Sequence, residues 1–270
     1  MSKDAKLLRF YSILAGLIFL TALLAPFILT QDPYESSMQQ AFLPPSAEHW
    51  FGTDKLGRDL FTRVIYGARI SVFMSLTVVI LIAGIGSAIG VVAGYVGGKV
   101  DTIIMRLADM FLAFPGIVLA IAIAGMMGGS VVNAILALVA VGWTKYARLA
   151  RSMTLKVRQQ DYIAAAVTNG TRPVQMFFRH IAPNILSIIL VTAAVDIGAM
   201  MMELAGLSFL GFGAQPPTPE WGLMLNEGRQ ALQTAPWLML FPGGAIVLVV
   251  AVFNLWGDAL RDWLDPNKAS

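Results

Sequence analysis

The chain has 270 residues, of which 57% are hydrophobic and only 13% are charged. Soluble proteins have about a quarter of their residues charged, so this composition, spread over several long apolar runs, indicates a polytopic membrane protein. The absence of Cys excludes disulfides, thiolate metal sites and cysteine nucleophiles, and the small excess of Lys and Arg (19) over Asp and Glu (16) is explained by contact with anionic membrane lipid and not by nucleic acid.

Windows of about twenty apolar residues predict six transmembrane helices and therefore an all-α polytopic fold. In chain order the predicted spans are residues 8–29, 70–96, 107–127, 131–150, 185–210 and 238–257. The first is expected to be a retained helix, because no small-residue cleavage site follows it. Residues 1–69 are predicted to form this helix and an extracytoplasmic segment, residues 70–260 the transmembrane domain, and residues 261–270 a cytoplasmic tail.

The distribution of Lys and Arg predicts the orientation, because cytoplasmic loops of membrane proteins carry an excess of both. With the N-terminus inside, only five of the 19 fall on the outer side, namely Lys55, Arg58, Arg63, Arg69 and Arg229. Both termini and the polar insert at residues 158–184 are therefore expected in the cytoplasm, with the chain crossing the membrane several times.

A stripe of glycines marks the second span. Gly86, Gly90, Gly94 and Gly98 recur at every fourth position, so they are predicted to share one helix face that lets another helix approach closely. The nearby run GYVGGKV lacks the spacing and the Ser or Thr of a phosphate-binding loop. If transport uses ATP, another subunit is expected to bind it.

The polar insert at residues 158–184 is predicted to fold as two short helices that dock on a soluble partner. The first begins near Asp161, is ended by Asn169 and Gly170, and is followed by a second helix from Pro173 that Pro183 ends. Three alanines leave a narrow ridge that fits a groove, with neighbouring apolar anchors. The residues predicted to form this surface are Asp161, Tyr162, Ile163, Ala164, Ala165, Ala166, Val167, Gly170 and Pro183.

Two carboxylates lie within the fifth span, where such groups are costly and usually face a polar partner or a water-filled cavity. Asp196 and Glu203 are seven residues apart and therefore point the same way, with Met200 between them. These three residues are candidates for lining a translocation pathway for a cationic or polar solute. The alternative is that the carboxylates bond to neighbouring helices and the methionine fills a gap in packing.

Catalysis within this chain is not expected. His49 and His180 are the only histidines and are predicted on opposite sides of the membrane, so one chain cannot form a multi-histidine metal site. No firm metal site, Ser-His-Asp arrangement or pair of carboxylates in an aqueous pocket is recognisable.

The cytoplasmic insert resembles the loop motif of bacterial ABC importer permeases, in which Glu-Ala-Ala is followed at fixed spacing by Gly and a final Pro. Ala164-Ala165-Ala166, Gly170 and Ala182-Pro183 match this spacing, with Ala164 where Glu is usual. Four further stretches resemble the peptide/nickel group of these permeases, in particular the nickel-type subunits of the second kind: FGTDKLGRDLFTRVIYGARIS (51–71), ADMFLAFPG (108–116), LSFLGFGAQPPTPEWG (207–222) and FNLWGDALRDWLDP (253–266).

This resemblance implies a type I importer transmembrane domain in the bacterial inner or plasma membrane that is half of a heterodimer with a homologous permease. It also implies two cytoplasmic ATPases, which hold ATP and Mg, and an extracytoplasmic solute-binding protein. Nickel or a nickel chelate is the predicted solute, and di- or oligopeptides are the alternative. A secondary transporter, in which Asp196 and Glu203 would relay protons, is the rival from another class, although the chain shows no clear inverted repeat.

Overall fold

The computed structural model describes residues 3–264, with only the backbone described for Lys3, Asp4, Val167, Pro173 and Val174. Residues 265–270, which include most of the predicted tail, lie outside the described part. Within that part the fold is helical. The helices are α1 (Lys3–Ile28), α2 (Leu60–Val96), α3 (Gly98–Leu112), α4 (Gly116–Met127), α5 (Val131–Arg158), α6 (Asp161–Thr168), α7 (Pro173–Met176), α8 (Ala182–Phe209), α9 (Trp221–Gly228) and α10 (Trp237–Leu264).

Four helical segments are long and apolar enough to cross a membrane. They are Ala5–Ile28, Leu60–Val96, Phe177–Phe209 and Trp237–Leu264, and a fifth is possible if α3 and α4 together form one broken span. The predicted number of six is therefore not confirmed. Helix α5 is long enough to span a membrane but is not among these segments, because five Lys and Arg side chains occupy its second half.

The predicted span at 107–127 is wrong as a single helix. Helices α3 and α4 meet at an angle of 88°. Pro115 precedes α4 and has no N–H for a helix to use, and it disfavours helical backbone at Phe114 before it. Helix α3 instead lies beside α5, to which Asp101 is joined by Arg151 and Asp109 by Arg148.

Helices α2 and α5 form the central contact of the bundle, and glycines of α2 make it close. A Cβ added at Gly86, Gly90 or Gly94 would lie 2.4, 2.1 or 2.9 Å from a backbone carbonyl oxygen of α5. Gly98 does not belong to this face, contrary to the sequence prediction. Helix α2 ends at Val96, and Gly97 and Gly98 turn the chain with φ of 72° and 56° into α3.

The two ends of the bundle differ in chemistry. We call one the basic end: α5 ends there with Arg148, Arg151, Lys156 and Arg158, α6 follows, and α8 begins. The opposite end, called the α9 end, carries α9 and the segment 29–59. Helix α2 reaches ten residues further towards the α9 end than predicted, because Asp59 caps it through the N–H of Thr62.

Candidate transport pathway and coupling surface

Asp196 is the centre of a polar cluster inside the bundle. Its side chain is only 7% exposed, and the Lys145 ammonium lies 2.7 Å from Oδ1 and 2.9 Å from Oδ2. The Tyr146 hydroxyl donates to Oδ2 at 2.8 Å. Three charge-assisted contacts therefore satisfy a carboxylate near the middle of α8, where an unpaired charge would be very costly.

Two cavities meet at this cluster. The larger, of about 520 Å³, opens towards the basic end and is lined by the first half of α8, by Leu149 and by Arg261 and Leu264 of α10. The smaller, of about 230 Å³, lies further along α8 towards the α9 end. It is lined by Leu112 and Gly116 at the α3–α4 bend and by side chains of α2, α5 and α8.

The three pathway candidates from the sequence come together in the smaller cavity. Asp196, Met200 and Glu203 all line it, as their shared helix face requires. Whether they contact a solute stays a prediction. What the sequence reasoning missed is Lys145, which lines both cavities and neutralises Asp196. The signal for it is a lysine inside the predicted span 131–150, where a charge is costly and usually has a polar partner.

Helix α6 has the predicted form of a short helix at the basic end. It ends in a turn in which the N–H of Thr171 bonds to the carbonyl of Ala166 at 3.1 Å and Gly170 takes φ of 74°. This is the usual left-handed helix stop, for which glycine is the favoured residue. Ala164 and Ala165 are exposed, as are Asp161, Tyr162 and Gly170, whereas Ala166 is half-buried.

Two predictions about this surface are wrong. Ile163, expected to contact a partner, is 4% exposed and packs in the chain's own core with Met176 and Ile181. Pro183 does not end a helix, because α7 continues through a π turn at Phe177–Ile181 into α8. This wider turn accommodates a proline that has no N–H for the helix ladder. The side chain of Val167, the third predicted anchor, lies outside the described part.

At the α9 end, charged side chains form a closed network. Arg63 lies 3.1 Å from Glu227 and 3.5 Å from Asp54, and Arg58 lies 2.6 Å from Asp54 and 3.3 Å from Glu227. The exposed fractions of these four side chains are between 1% and 11%. We call this set the Arg63 network. It ties the segment before α2 to α9. Two of the five predicted outer cations, Arg58 and Arg63, belong to it, and a third, Lys55, contacts Glu227 at its exposed rim.

A buried carboxylate also fixes the start of α9. Glu220 accepts the N–H groups of Gly222 and Leu223 at 2.9 and 2.8 Å and the Ser71 hydroxyl at 3.3 Å. Burial raises the pKa of the Glu220 carboxyl above its ordinary value, and these hydrogen bonds oppose that rise. The loop between α8 and α9 is thereby held against α2.

Comparisons with known proteins decide which kind of bundle this is. Residues 86–270, more than half of the chain, match the model of the family described as "Binding-protein-dependent transport system inner membrane component". The chain belongs to this family. Members are permease subunits of ABC importers, and the chain is accordingly a non-catalytic membrane subunit.

Named relatives within this permease family cover nearly the whole chain. The dipeptide transport system permease protein DppC of Alkalihalophilus pseudofirmus is 44% identical over 95% of this chain and 86% of its own length. The nickel transport system permease protein NikC of Escherichia coli is 41% identical over 96% and 94%. The glutathione transport system permease protein GsiD of Pectobacterium atrosepticum is 46% identical over 84% and 75%.

A solved structure supports the fold of this permease. A structure of the MetNI methionine ABC transporter in inward-facing conformations matches with a TM-score of 0.54 at 18% identity, over 73% of this chain and 95% of the other. At this identity the likeness concerns the fold alone. The type I importer transmembrane fold implied by the sequence motifs is thus confirmed.

Proposed function

We propose that this permease forms half of the pathway of an importer for small peptide-like solutes. The observation that carries the proposal is the mixed charge at the centre of the bundle. Lys145 presents an ammonium to both cavities, and Asp196 and Glu203 present carboxylates to the smaller one. A zwitterionic solute has one amine and one carboxylate, so such a lining can offer an opposite charge to each. The relatives named for dipeptide and glutathione transport support the same class.

Nickel or a nickel chelate, the solute predicted from the sequence, is the second candidate. The relative named for nickel transport supports it, at nearly the same identity as the dipeptide relative. In the smaller cavity Glu203 offers a carboxylate and Met200 a thioether, both of which are metal ligands. The two candidates make different demands on the solute-binding protein that is expected to deliver the cargo.

The decisive experiment measures the ligand of that binding protein. The binding protein encoded beside this permease is purified and titrated calorimetrically with glycyl-leucine, with Ni²⁺ and with a nickel–histidine complex. Micromolar or tighter binding of the dipeptide, with no heat from the nickel ligands, is expected. Tight binding of nickel or its chelate without dipeptide binding would replace the peptide proposal by the nickel candidate.

We further propose the assembly in which the permease works. The basic end faces the cytoplasm, as the excess of Lys and Arg there supports, and both termini lie on that side. A homologous second permease completes the pathway, and two cytoplasmic ATPases hold ATP and Mg. The solute-binding protein docks at the α9 end, on residues 30–69 and 215–237.

Helix α6 is the proposed contact with an ATPase. Its exposed ridge of Ala164 and Ala165, with Tyr162 beside it, lies in the motif that matches the coupling loop of ABC permeases. Because Ala164 replaces the usual Glu, shape and apolar contact must provide most of the grip. The buried side chain of Ile163 anchors α6 in the hydrophobic core, so movement of α6 is passed to that core.

Ala165→Trp tests this contact. The larger side chain should keep α6 from its groove, so that uptake into vesicles falls by about tenfold or more while the permease still inserts. Ala165→Ser, which keeps a small side chain, serves as the control and should transport normally. Normal uptake by the Trp variant would show that the ridge does not contact the ATPase.

A further inference from the structure

The Lys145–Asp196 pair lies where the two cavities of the bundle meet. Of the side chains that line the larger cavity and those that line the smaller one, only Lys145 and Asp196 belong to both sets. The larger cavity opens towards the basic end and the smaller one lies towards the α9 end. A solute that moved along α8 from one cavity to the other would therefore pass beside these two side chains.

The two members of the pair are held very differently. Asp196 is buried, and the hydroxyl of Tyr146, which is fully buried, donates a hydrogen bond to its Oδ2. The Lys145 side chain is 58% exposed, and one ammonium has three donors, of which two are directed at Asp196. Asp196 is thus a fixed point, and Lys145 is a long, flexible arm that can leave it.

Charge on either side makes such a movement feasible. Glu203 lines the smaller cavity and Arg261 the larger one. If the Lys145 ammonium leaves Asp196 towards the smaller cavity, it approaches a second carboxylate, so its charge is not left unpaired in a region where that would be costly. The larger cavity carries Arg261, which has the same charge as Lys145, so movement towards Glu203 is the direction that brings the ammonium to an opposite charge.

We propose that the Lys145–Asp196 pair is the gate of the permease. Closed, as in this structure, the ion pair separates the cavity at the basic end from the cavity at the α9 end. It opens when the Lys145 side chain swings towards Glu203 while Tyr146 keeps Asp196 in place. Lys145 is therefore a residue of the transport pathway in its own right and not a surface charge. This inference rests on the importer function of the family and does not depend on which solute is carried.

The test uses accessibility of engineered cysteines, for which this chain is well suited because it contains none. Ala199→Cys places a thiol in the smaller cavity and Thr192→Cys places one in the larger cavity. Each is made in the full importer complex, with ATPases and partner permease free of reactive cysteines, in sealed vesicles without ATP. A membrane-impermeant thiol reagent is then added from the face at which Thr192→Cys reacts.

With the pair intact, Ala199→Cys should react at least about tenfold more slowly than Thr192→Cys. Adding Lys145→Met, which keeps most of the length of the side chain and removes its charge, should remove most of that difference. Thr192→Cys should react equally in both backgrounds. Copurification of the ATPases shows that each complex has assembled. If the Lys145→Met complex does not assemble, Asp196→Asn removes the opposite charge of the pair instead.

Two outcomes would overturn the gate. In the first, Ala199→Cys reacts equally slowly in assembled complexes with and without Lys145→Met. The barrier between the reagent and the smaller cavity would then lie elsewhere. The second is an Ala199→Cys that already reacts as fast as Thr192→Cys with the pair intact. Neither result bears on the calorimetric test of the solute, so failure of the gate and failure of the peptide proposal are distinguishable.

Discussion

Two clusters of oppositely charged side chains in this permease, the Arg63 network and the Lys145–Asp196 pair, differ in their cations and in their access to water. In the Arg63 network both arginines and both carboxylates are nearly inaccessible, and every charge meets more than one opposite partner. In the central pair one carboxylate is buried but its lysine is 58% exposed and borders two cavities. Guanidinium groups, with several donors in a fixed geometry, suit a permanent contact between elements, whereas a single ammonium on a flexible side chain suits a contact that opens. The Arg63 network therefore stabilises the fold, whereas the Lys145 side chain is free to change its partner.

The largest loss of stability is expected when the Arg63 network is broken. Arg63→Ala leaves Glu227 and Asp54 buried with fewer partners and also removes hydrogen bonds to the Pro33 and Pro217 carbonyls. The free energy of unfolding should fall by about 3–5 kcal/mol. Thermal unfolding of the purified complex in detergent measures this change. A variant as stable as the original would mean that the Arg63 network does not hold the α9 end together.

A smaller loss of stability is expected from a substitution where α2 and α5 touch. It should affect the Lys145–Asp196 pair and leave the Arg63 network unchanged. Gly90→Ala puts a Cβ 2.1 Å from the Ala147 carbonyl oxygen, so α5 must move away and carry Lys145 with it. Overpacking of this kind costs about 1–3 kcal/mol. Cysteine accessibility at Ala199→Cys should rise, whereas the Arg63 network, at the other end of α2, should stay intact.

Gly84→Ala is the matched control for this overpacking, because a Cβ there meets nothing within 4 Å. Replacing glycine by alanine inside a helix favours the helix by about 0.5–1 kcal/mol, so this variant should be no less stable than the original. Equal losses at Gly84 and Gly90 would mean that close packing against α5 does not explain the loss at Gly90.

The smallest effect is expected at the rim of the Arg63 network. Lys55 also contacts Glu227, at 3.5 Å, but its side chain is 45% exposed. Exposed ion pairs contribute about 0–1 kcal/mol, so Lys55→Ala should change the melting temperature little. A loss comparable to that of Arg63→Ala would remove the distinction between buried and exposed members of the same cluster.

The sequence predicted the features that depend on local patterns. The helix at 161–168, the turn at Gly170 and the common helix face of Asp196, Met200 and Glu203 follow from spacing along the chain alone. The pairing of Lys145 with Asp196 joins residues 51 positions apart, and that of Arg63 with Glu227 joins residues 164 apart. Such contacts depend on how helices pack, which the apolar pattern does not specify.

The errors have a related cause. Ile163 looked like a contact for a partner because a short amphipathic helix has two faces and the sequence does not say which one the rest of the chain covers. Pro183 looked like a helix end because the widened turn before it, at Phe177–Ile181, has no sequence signature of its own. Gly98 continued a four-residue spacing past the point where its neighbour Gly97 had already turned the chain.

Helix α2 has 37 residues and so a length of about 55 Å, nearly twice the thickness of the hydrocarbon core of a bilayer. No proline interrupts it, and its ends are fastened to unlike surroundings: Arg63 in the network at one end, and the Gly94 and Tyr95 carbonyls, which Arg158 grips, at the other. Sharp kinks in long helices arise mainly at proline, so a helix of this kind can carry a tilt from one end to the other. If the binding protein docks at the α9 end, as we propose, a tilt imposed there would be carried along α2 to the basic end, where Arg158 leads into α6.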